Sequence, residues 1–248
     1  REISPLDEDE INRIIDDIGN HDLDSIAVNS VYSPLNSAME QRTAELIKKK
    51  LPDIKISLSN EIGKVGLIER ENATIINAAL SKLAEEIIEA FQKALLKLNI
   101  SAPLYVSQND GTLMLPEKVS SYPVLTFACG PTNSMRGAAF LSGIDESVIV
   151  DIGGTTSDIG YIKQGFPRQS AVATDVGGVR TNFRMPDIVS IGLGGGSIIR
   201  DNGKRIGPDS VGYLLTEKAK VFGGDTLTAT DIAVARYNLD IGDPSLVK

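Results

Sequence analysis

The sequence has no tryptophan, one cysteine and one histidine, and each scarcity closes off a class of chemistry. A single cysteine, Cys129, cannot form an internal disulfide, which points to a reducing compartment and an expected cytoplasmic location. One cysteine and one histidine, His21, cannot supply the nitrogen and sulfur ligands of an ordinary zinc site. Aromatic residues make up 5% of the chain against 42% apolar residues overall, so the core must be aliphatic, as suits layered α/β architectures. Positive charge is also short. Lys and Arg number 25 against 33 Asp and Glu, a formal net charge of -8. A non-specific nucleic-acid or anionic-membrane surface needs the opposite balance, so neither is an expected partner. No apolar run reaches the length of about 18 residues that spans a bilayer, and no signal-peptide pattern is visible. The chain opens on Arg1, as an excised or processed segment would.

What is present alternates between helical and strand-like patterns. Ser4, Pro5 and Asp7 predict a capped helix start, Ile11, Ile14, Ile15 and Ile18 its apolar stripe, and Gly19 its stop. Residues 25–33 and 53–59 read as strands. Between them lies a helix with a candidate capping box, Ser37 and Glu40, and lysines at its end. The longest helical pattern covers 72–98, with Ile76, Leu80, Leu83, Ile87, Phe91, Leu95 and Leu98 on one face and Ser81 as a point of division. Residues 102–111 read as a strand with a polar exit, 122–130 as a short buried strand or entry loop, and 133–143 as a helix. After Gly143 glycine becomes dense, and strands joined by tight turns are predicted. They include "SAVATDVG" and a hairpin at Asn202-Gly203. A last helix over 228–239 can be capped by Thr228 or Thr230. The change in composition puts a boundary near residue 120, between a helix-rich α/β part (1–120) and a glycine-rich part (121–248).

The stretch that asks for explanation is "SVIVDIGGTTSDIGYIKQG", residues 147–165. An aliphatic strand runs into Asp151, then Gly153 and Gly154, then Thr155, Thr156 and Ser157, then Asp158. Glycines let a ligand approach the backbone, hydroxyls add donors, and successive amides turned one way form an anion-binding nest. A carboxylate beside a phosphate is useful through a cation or an ordered water, which makes Asp151 a candidate metal ligand and Asp158 its assistant. The alternative is a plain hairpin whose aspartates cap loose amides. Both readings stand on residue types alone. The P-loop pattern G-x-x-x-x-G-K-[ST] is absent. "GLGGGS" (192–197) departs from a dinucleotide fingerprint, since Ser197 replaces the last glycine and a hairpin follows. Its four glycines suit either the close passage of a ligand or packing.

Weaker candidates are weighed the same way. Cys129 lacks a nearby base and reads as a small buried residue, and His21 reads as a surface residue. Asn109 and Asp110 stand at a strand exit that can line a crevice or simply turn. Arg180 and Arg184 can neutralise phosphate or be surface charge. Glu69, Arg70 and Glu71 read as a solvated face, and Asp231 as a cap in preference to a ligand contact.

Taken in order, "VNSVYSPLNSAMEQR", "ISLSNEIGKVGLIERENATIINAAL", "PLYVSQNDGTLM", "CGPTNSMRGAAFLSG", "VDIGGTTSDIGYIKQGFP", "SIGLGGGSI", "RIGPDSVG" and "GGDTLTATDIAV" resemble the central part of the hydantoinase/oxoprolinase family, of the ATP-dependent hydantoinase A type. The resemblance implies an actin-like ATPase (ribonuclease H-like) fold, incomplete here, with mixed sheets flanked by helices. It implies ATP and Mg²⁺ as cofactors and a small cyclic amide, such as a hydantoin or 5-oxoproline, as substrate; some relatives carboxylate ketones. A second hydantoinase subunit or a homo-oligomer is the implied partner. Asp151, Gly153, Gly154, Thr155 and Thr156 would form the second phosphate loop, with Asp151 acting through Mg²⁺ or a water and Asp158 assisting. Gly194, Gly195 and Gly196 would run beside the adenosine or α-phosphate side. Such families begin with another glycine-rich aspartate bend, and nothing before residue 60 resembles it, so the isolated segment is expected to bind ATP poorly. An actin-like kinase or activator ATPase, and a non-catalytic nucleotide-binding domain, are the competing readings.

Overall fold

The computed structural model describes residues 4–170 and 173–247. In chain order its helices and strands are α1 (Glu8–Ile18), β1 (Ser25–Val28), α2 (Ala38–Lys50), β2 (Lys55–Leu58), α3 (Ser59–Ile62), α4 (Leu67–Lys97), β3 (Val106–Ser107), β4 (Leu113–Met114), α5 (Pro116–Ser121) and α6 (Cys129–Ser142). They continue as β5 (Ser147–Ile152), β6 (Ser157–Lys163), β7 (Phe166–Pro167), β8 (Thr174–Val176), β9 (Val179–Thr181), β10 (Ile188–Ile191), β11 (Ser197–Arg200), β12 (Arg205–Ser210), α7 (Leu215–Lys218) and α8 (Ala229–Tyr237). This is a mixed α/β fold with open sheets flanked by helices. The chain forms two compact units. The first runs up to Thr132 and takes up the chain again from Gln169 to Pro186; the second holds Asn133–Arg168 and the chain from Asp187 on. Two residues of the predicted strand "SAVATDVG", 171 and 172, lie outside the described residues.

In the first unit, α1 starts three residues later than its sequence suggests. Asp7, not Ser4, is the cap, accepting from Glu10 N–H at 2.9 Å. Ile15 of α1 packs on Leu46 and Ile47 of α2 and on Ile54. β1 and β2 pair in parallel, Ser25 opposite Lys55 through Val28 opposite Leu58, with α2 as the crossover. The predicted capping box does not form. Ser37 makes no cap bond, and Glu40 is fully buried, where it accepts from Ser30 N–H at 2.7 Å, Ser59 Oγ at 2.5 Å and Asn60 N–H at 3.0 Å. Arg70, read as part of a solvated face, is 2% exposed. Its Nε donates to Ser59 Oγ at 2.9 Å and its Nη2 to Ser30 O at 2.7 Å.

α4 is one helix of 31 residues. Ser81 does not divide it, because its hydroxyl donates to Asn77 O one turn back at 2.9 Å. The face α4 buries is mostly small or polar, with Ala73, Thr74, Asn77, Ala78, Ser81 and Ala84 between Arg70 and Ile88. Leu83, Ile87 and Phe91 of the sequence stripe are instead exposed. Small side chains let the helix axis approach its neighbours closely, and close approach has decided which face turns inward.

In the second unit the main sheet has the order β10-β6-β5, antiparallel throughout, with β7 added on β6. Met135 and Ala139 of α6 cover one face by packing on Ile149, Ile162 and Ile188. The other face carries Val148, Val150 and Ile152 of β5 and Val189 and Ile191 of β10, which are 46–71% exposed. The predicted hairpin at Asn202-Gly203 joins β11 to β12, with Asn202 in the left-handed region at φ 54°. Thr228 caps α8 in a complete capping box with Asp231.

Candidate functional site

β5 delivers Asp151 and Ile152 to the start of a tight bend, and β6 leads away from it. Asp151 stands opposite Asp158, and Ile152 opposite Ser157. The turn is closed by Gly153 N–H donating to Thr156 O at 2.9 Å, so that amide is spent inside the hairpin. Gly154 and Thr155 at the tip are exposed. Among the described residues their N–H groups donate to no protein acceptor. A methyl group at Gly154 would meet nothing within 4 Å, so the tip backbone is open to approach.

The second glycine cluster braces the first. Gly195 N–H donates to Gly153 O at 3.0 Å and Gly196 N–H to Gly154 O at 2.7 Å. Ser157 Oγ donates to Leu193 O at 2.6 Å. From the other side, Thr230 donates to Gly195 O through both its N–H and its hydroxyl, each at 2.9 Å. The glycines are required by this crossing of two backbones. A methyl at Gly194 would stand 2.6 Å from Gly153 O and 2.7 Å from Thr155 N, and one at Gly196 would stand 3.0 Å from Gly154 O. The carbonyls of Gly153 and Gly154 are thereby tied down, while among the described residues the N–H groups of Gly154 and Thr155 have no protein acceptor.

Beside the tip, three polar side chains line up across the sheet. Asp151 on β5, Asp158 on β6 and Ser190 on β10 occupy facing positions, and Ser190 Oγ donates to Asp158 Oδ1. Directly opposite residues in an antiparallel ladder lie about 4.5–5.5 Å apart, where like charges repel. A shared cation relieves that repulsion. Mg²⁺ characteristically takes one or two carboxylates, with waters and ligand phosphates completing its shell. The Asp151–Asp158 pair fits such an ion. It does not fit a cation caged by protein ligands alone, since among the described residues no three His, Cys, Asp or Glu gather into one.

The sequence pattern of the hydantoinase/oxoprolinase family matches residues 70–239, and that of the hydantoinase/oxoprolinase N-terminal region matches residues 1–51. The chain belongs to the hydantoinase/oxoprolinase family. It is 29% identical over 241 residues to caprolactamase subunit alpha of Pseudomonas jessenii, covering 94% of this chain and 34% of that one. It is 26% identical over 246 residues to acetophenone carboxylase gamma subunit of Aromatoleum aromaticum, covering 94% and 33%. Its backbone superposes on the crystal structure of ATP-dependent caprolactamase from Pseudomonas jessenii with a TM-score of 0.81, at 28% identity, covering 98% of this chain and 36% of that one. The chain thus spans about a third of the length of the curated relatives it matches.

Within this hydantoinase/oxoprolinase segment the remaining candidates separate clearly. Asp231 is a buried cap, accepting from Thr228 N–H and Val221 N–H at 2.7 Å each. His21 is exposed and lies 3.9 Å from Asp17. Cys129 is half-buried as the first residue of α6. Asn109 is buried and donates to Arg184 O at 2.5 Å. Arg180 lies 3.4 Å from Glu69, and Glu71 accepts from Asn29 Nδ2 at 3.1 Å. Sequence reasoning missed Ser190, named Ser157 only as a hydroxyl donor of the bend, and named Thr230 only as a candidate cap. All three flank the glycine clusters, but only the strand register and loop crossing give them partners. Among the described residues no helix is long and apolar enough to cross a membrane.

Proposed function

We propose that this chain is the nucleotide-facing part of an ATP-dependent enzyme that opens cyclic amides such as hydantoins or 5-oxoproline, on an actin-like core. The observation that carries the reading is the tip of the β5–β6 hairpin: two amides without a protein acceptor among the described residues, at Gly154 and Thr155, on a backbone braced by Gly195 and Gly196, beside a carboxylate pair. The amides, with the Thr155 and Thr156 hydroxyls, would hold phosphoryl oxygens. Asp151, helped by Asp158, would hold Mg²⁺. Ser190 fixes the Asp158 carboxylate and leaves Asp151 the freer of the two. Bound there, ATP supplies a phosphoryl group able to activate an otherwise unreactive amide. The chain's own contribution is orientation: dipoles fixed in advance where negative charge is held, which is how most electrostatic catalysis works.

The relative named caprolactamase favours an amide over a ketone substrate, and the relative named acetophenone carboxylase keeps carboxylation as the second reading. Both are named as subunits, which favours a partner polypeptide in the working enzyme. The test measures ATP consumption by the intact enzyme, with its partner, against hydantoin, 5-oxoproline, acetophenone with bicarbonate, and simple sugars. Ring opening in step with ATP loss supports the proposal. Carboxylated ketone, phosphorylated sugar, or tight ATP binding without turnover would each replace it.

A further inference from the structure

The two amides at the hairpin tip are the last links of two chains of peptide groups. A peptide group carries its C=O and its N–H on opposite sides, so a hydrogen bond received at the oxygen is passed on at the nitrogen. In the first chain Ser197 N–H donates to Gly194 O at 3.0 Å. The N–H of that same peptide group, Gly195 N–H, donates to Gly153 O at 3.0 Å, and the group holding Gly153 O ends in the N–H of Gly154. In the second chain Thr230 donates to Gly195 O through its N–H and its hydroxyl, each at 2.9 Å. Gly196 N–H, in the same group, donates to Gly154 O at 2.7 Å, and the group holding Gly154 O ends in the N–H of Thr155. Ser210 Oγ adds a longer bond to Gly154 O, at 3.4 Å.

The second chain is the better supplied. It starts in the first turn of α8, two residues past the Thr228 cap, where helix amides have no acceptor within the helix and the helix dipole is positive. Thr230 N–H by itself satisfies Gly195 O, so the hydroxyl is not needed to avoid a buried orphan. Its seat is nonetheless built into the loop, since a methyl at Gly195 would stand 2.9 Å from Thr230 Oγ1. Successive hydrogen bonds polarise one another, each strengthening the next by about 10–30%, and two donors on one oxygen hold the plane of the group they meet. We propose that Thr230 is a positioning residue for anion binding at Thr155. Acting through the Gly195–Gly196 and Gly154–Thr155 peptide groups, it fixes the Thr155 N–H and makes it a stronger donor than the Gly154 N–H. The proposal rests on the phosphate-binding reading of the tip for its ligand, and on the chain of bonds alone for its mechanism.

Two variants test it. Thr230→Val removes the hydroxyl but keeps the shape and the N–H, and Thr230→Ser keeps the hydroxyl. In amide NMR spectra of the isotope-labelled chain without nucleotide, Thr230→Val should shift the Gly196 and Thr155 resonances upfield. Gly154, which ends the other chain, should stay in place, and Tm should hold. In the intact enzyme Thr230→Val should weaken Mg²⁺-ATP binding about threefold, the loss of about a quarter of one charge-assisted hydrogen bond. Thr230→Ser should restore both readouts. A purely structural brace predicts a lowered Tm, with Gly154 and Thr155 moving together. That pattern, unmoved resonances, or moved resonances with undiminished ATP affinity would overturn the proposal. ATP turnover with unmoved resonances sinks this role for Thr230 and leaves the proposed function standing. A wild-type enzyme that binds no nucleotide sinks the proposed function, and the Thr155 resonance then decides alone whether the chain of bonds runs from Thr230.

Discussion

Gly154 and Gly194 sit in glycine-rich turns that touch, yet they are glycines for opposite reasons. Open space surrounds Gly154, while a methyl at Gly194 would collide with the carbonyl of Gly153. Gly154→Ala should therefore leave Tm unchanged, and if phosphate rests on the tip amides, nucleotide affinity should fall about tenfold. Gly194→Ala should instead cost about 2 kcal/mol by forcing two backbones apart, read as a lowered denaturation midpoint. Asp151→Asn should reduce Mg²⁺-dependent ATP turnover in the intact enzyme. Tm should hold or rise slightly, because a like-charge pair opposite Asp158 is relieved. Unchanged turnover would remove Asp151 from the mechanism. The strand end at Asp151 and the bend at Gly153 and Gly154 were legible in the sequence because strand, carboxylate and paired glycines are contiguous there. Ser190 was not, because its role depends on β10 lying beside β6, a pairing no local pattern announces.

At the scale of elements, the periodic segments were legible and the buried polar groups were not. The Thr228 cap of α8 follows its sequence pattern. The same kind of pattern at Ser37 and Glu40 does not, since a serine three residues before a glutamate looks alike whether the carboxylate turns back to a cap or goes into the core. Glu40 here holds two backbone amides and the Ser59 hydroxyl that also receives Arg70. Glu40→Ala should strand these buried donors and destabilise the chain by about 3 kcal/mol, measured by urea denaturation; a change below about 1 kcal/mol would show that water replaces it. α4 misled in another way, because Leu83, Ile87 and Phe91 face outward while Ala73, Ala78, Ser81 and Ala84 face inward. Tyr122 offers a pH readout. Burial, then its bond to Glu61, pushes the phenol up to about 12 from its ordinary 10.0. Because the folded value is the raised one, the stabilisation is complete below about pH 10 and is lost as pH rises through about 12. Ultraviolet titration should show phenolates still forming up to about pH 12, and Tyr122→Phe should take one phenol out of that late part.

For the molecule as a whole, the composition already indicated an aliphatic, layered architecture, but the path of the chain was hidden. Glycine density rises after residue 143 while residues 169–186 rejoin the first unit, a return set by long-range pairing. The sheet of the second unit shows a different imbalance. α6 covers one face, and the opposite face displays Val148, Val150, Ile152, Val189 and Ile191, with β5 an open edge among the described residues. Exposed aliphatic sheet faces and open edges favour association. The 248-residue chain alone should therefore self-associate in a concentration-dependent way on size-exclusion chromatography, and Val150→Lys should suppress this; a concentration-independent monomer would contradict it. The returning segment has a consequence for inheritance. Three passages of the polypeptide between the units, at 132/133, 168/169 and 186/187, mean that no single crossover in a gene can transplant either unit without part of the other. A recombinant that borrows the hairpin with everything after it also brings in the donor's β8 and β9, so its first unit becomes a chimaera of two parents and the two units should be inherited together.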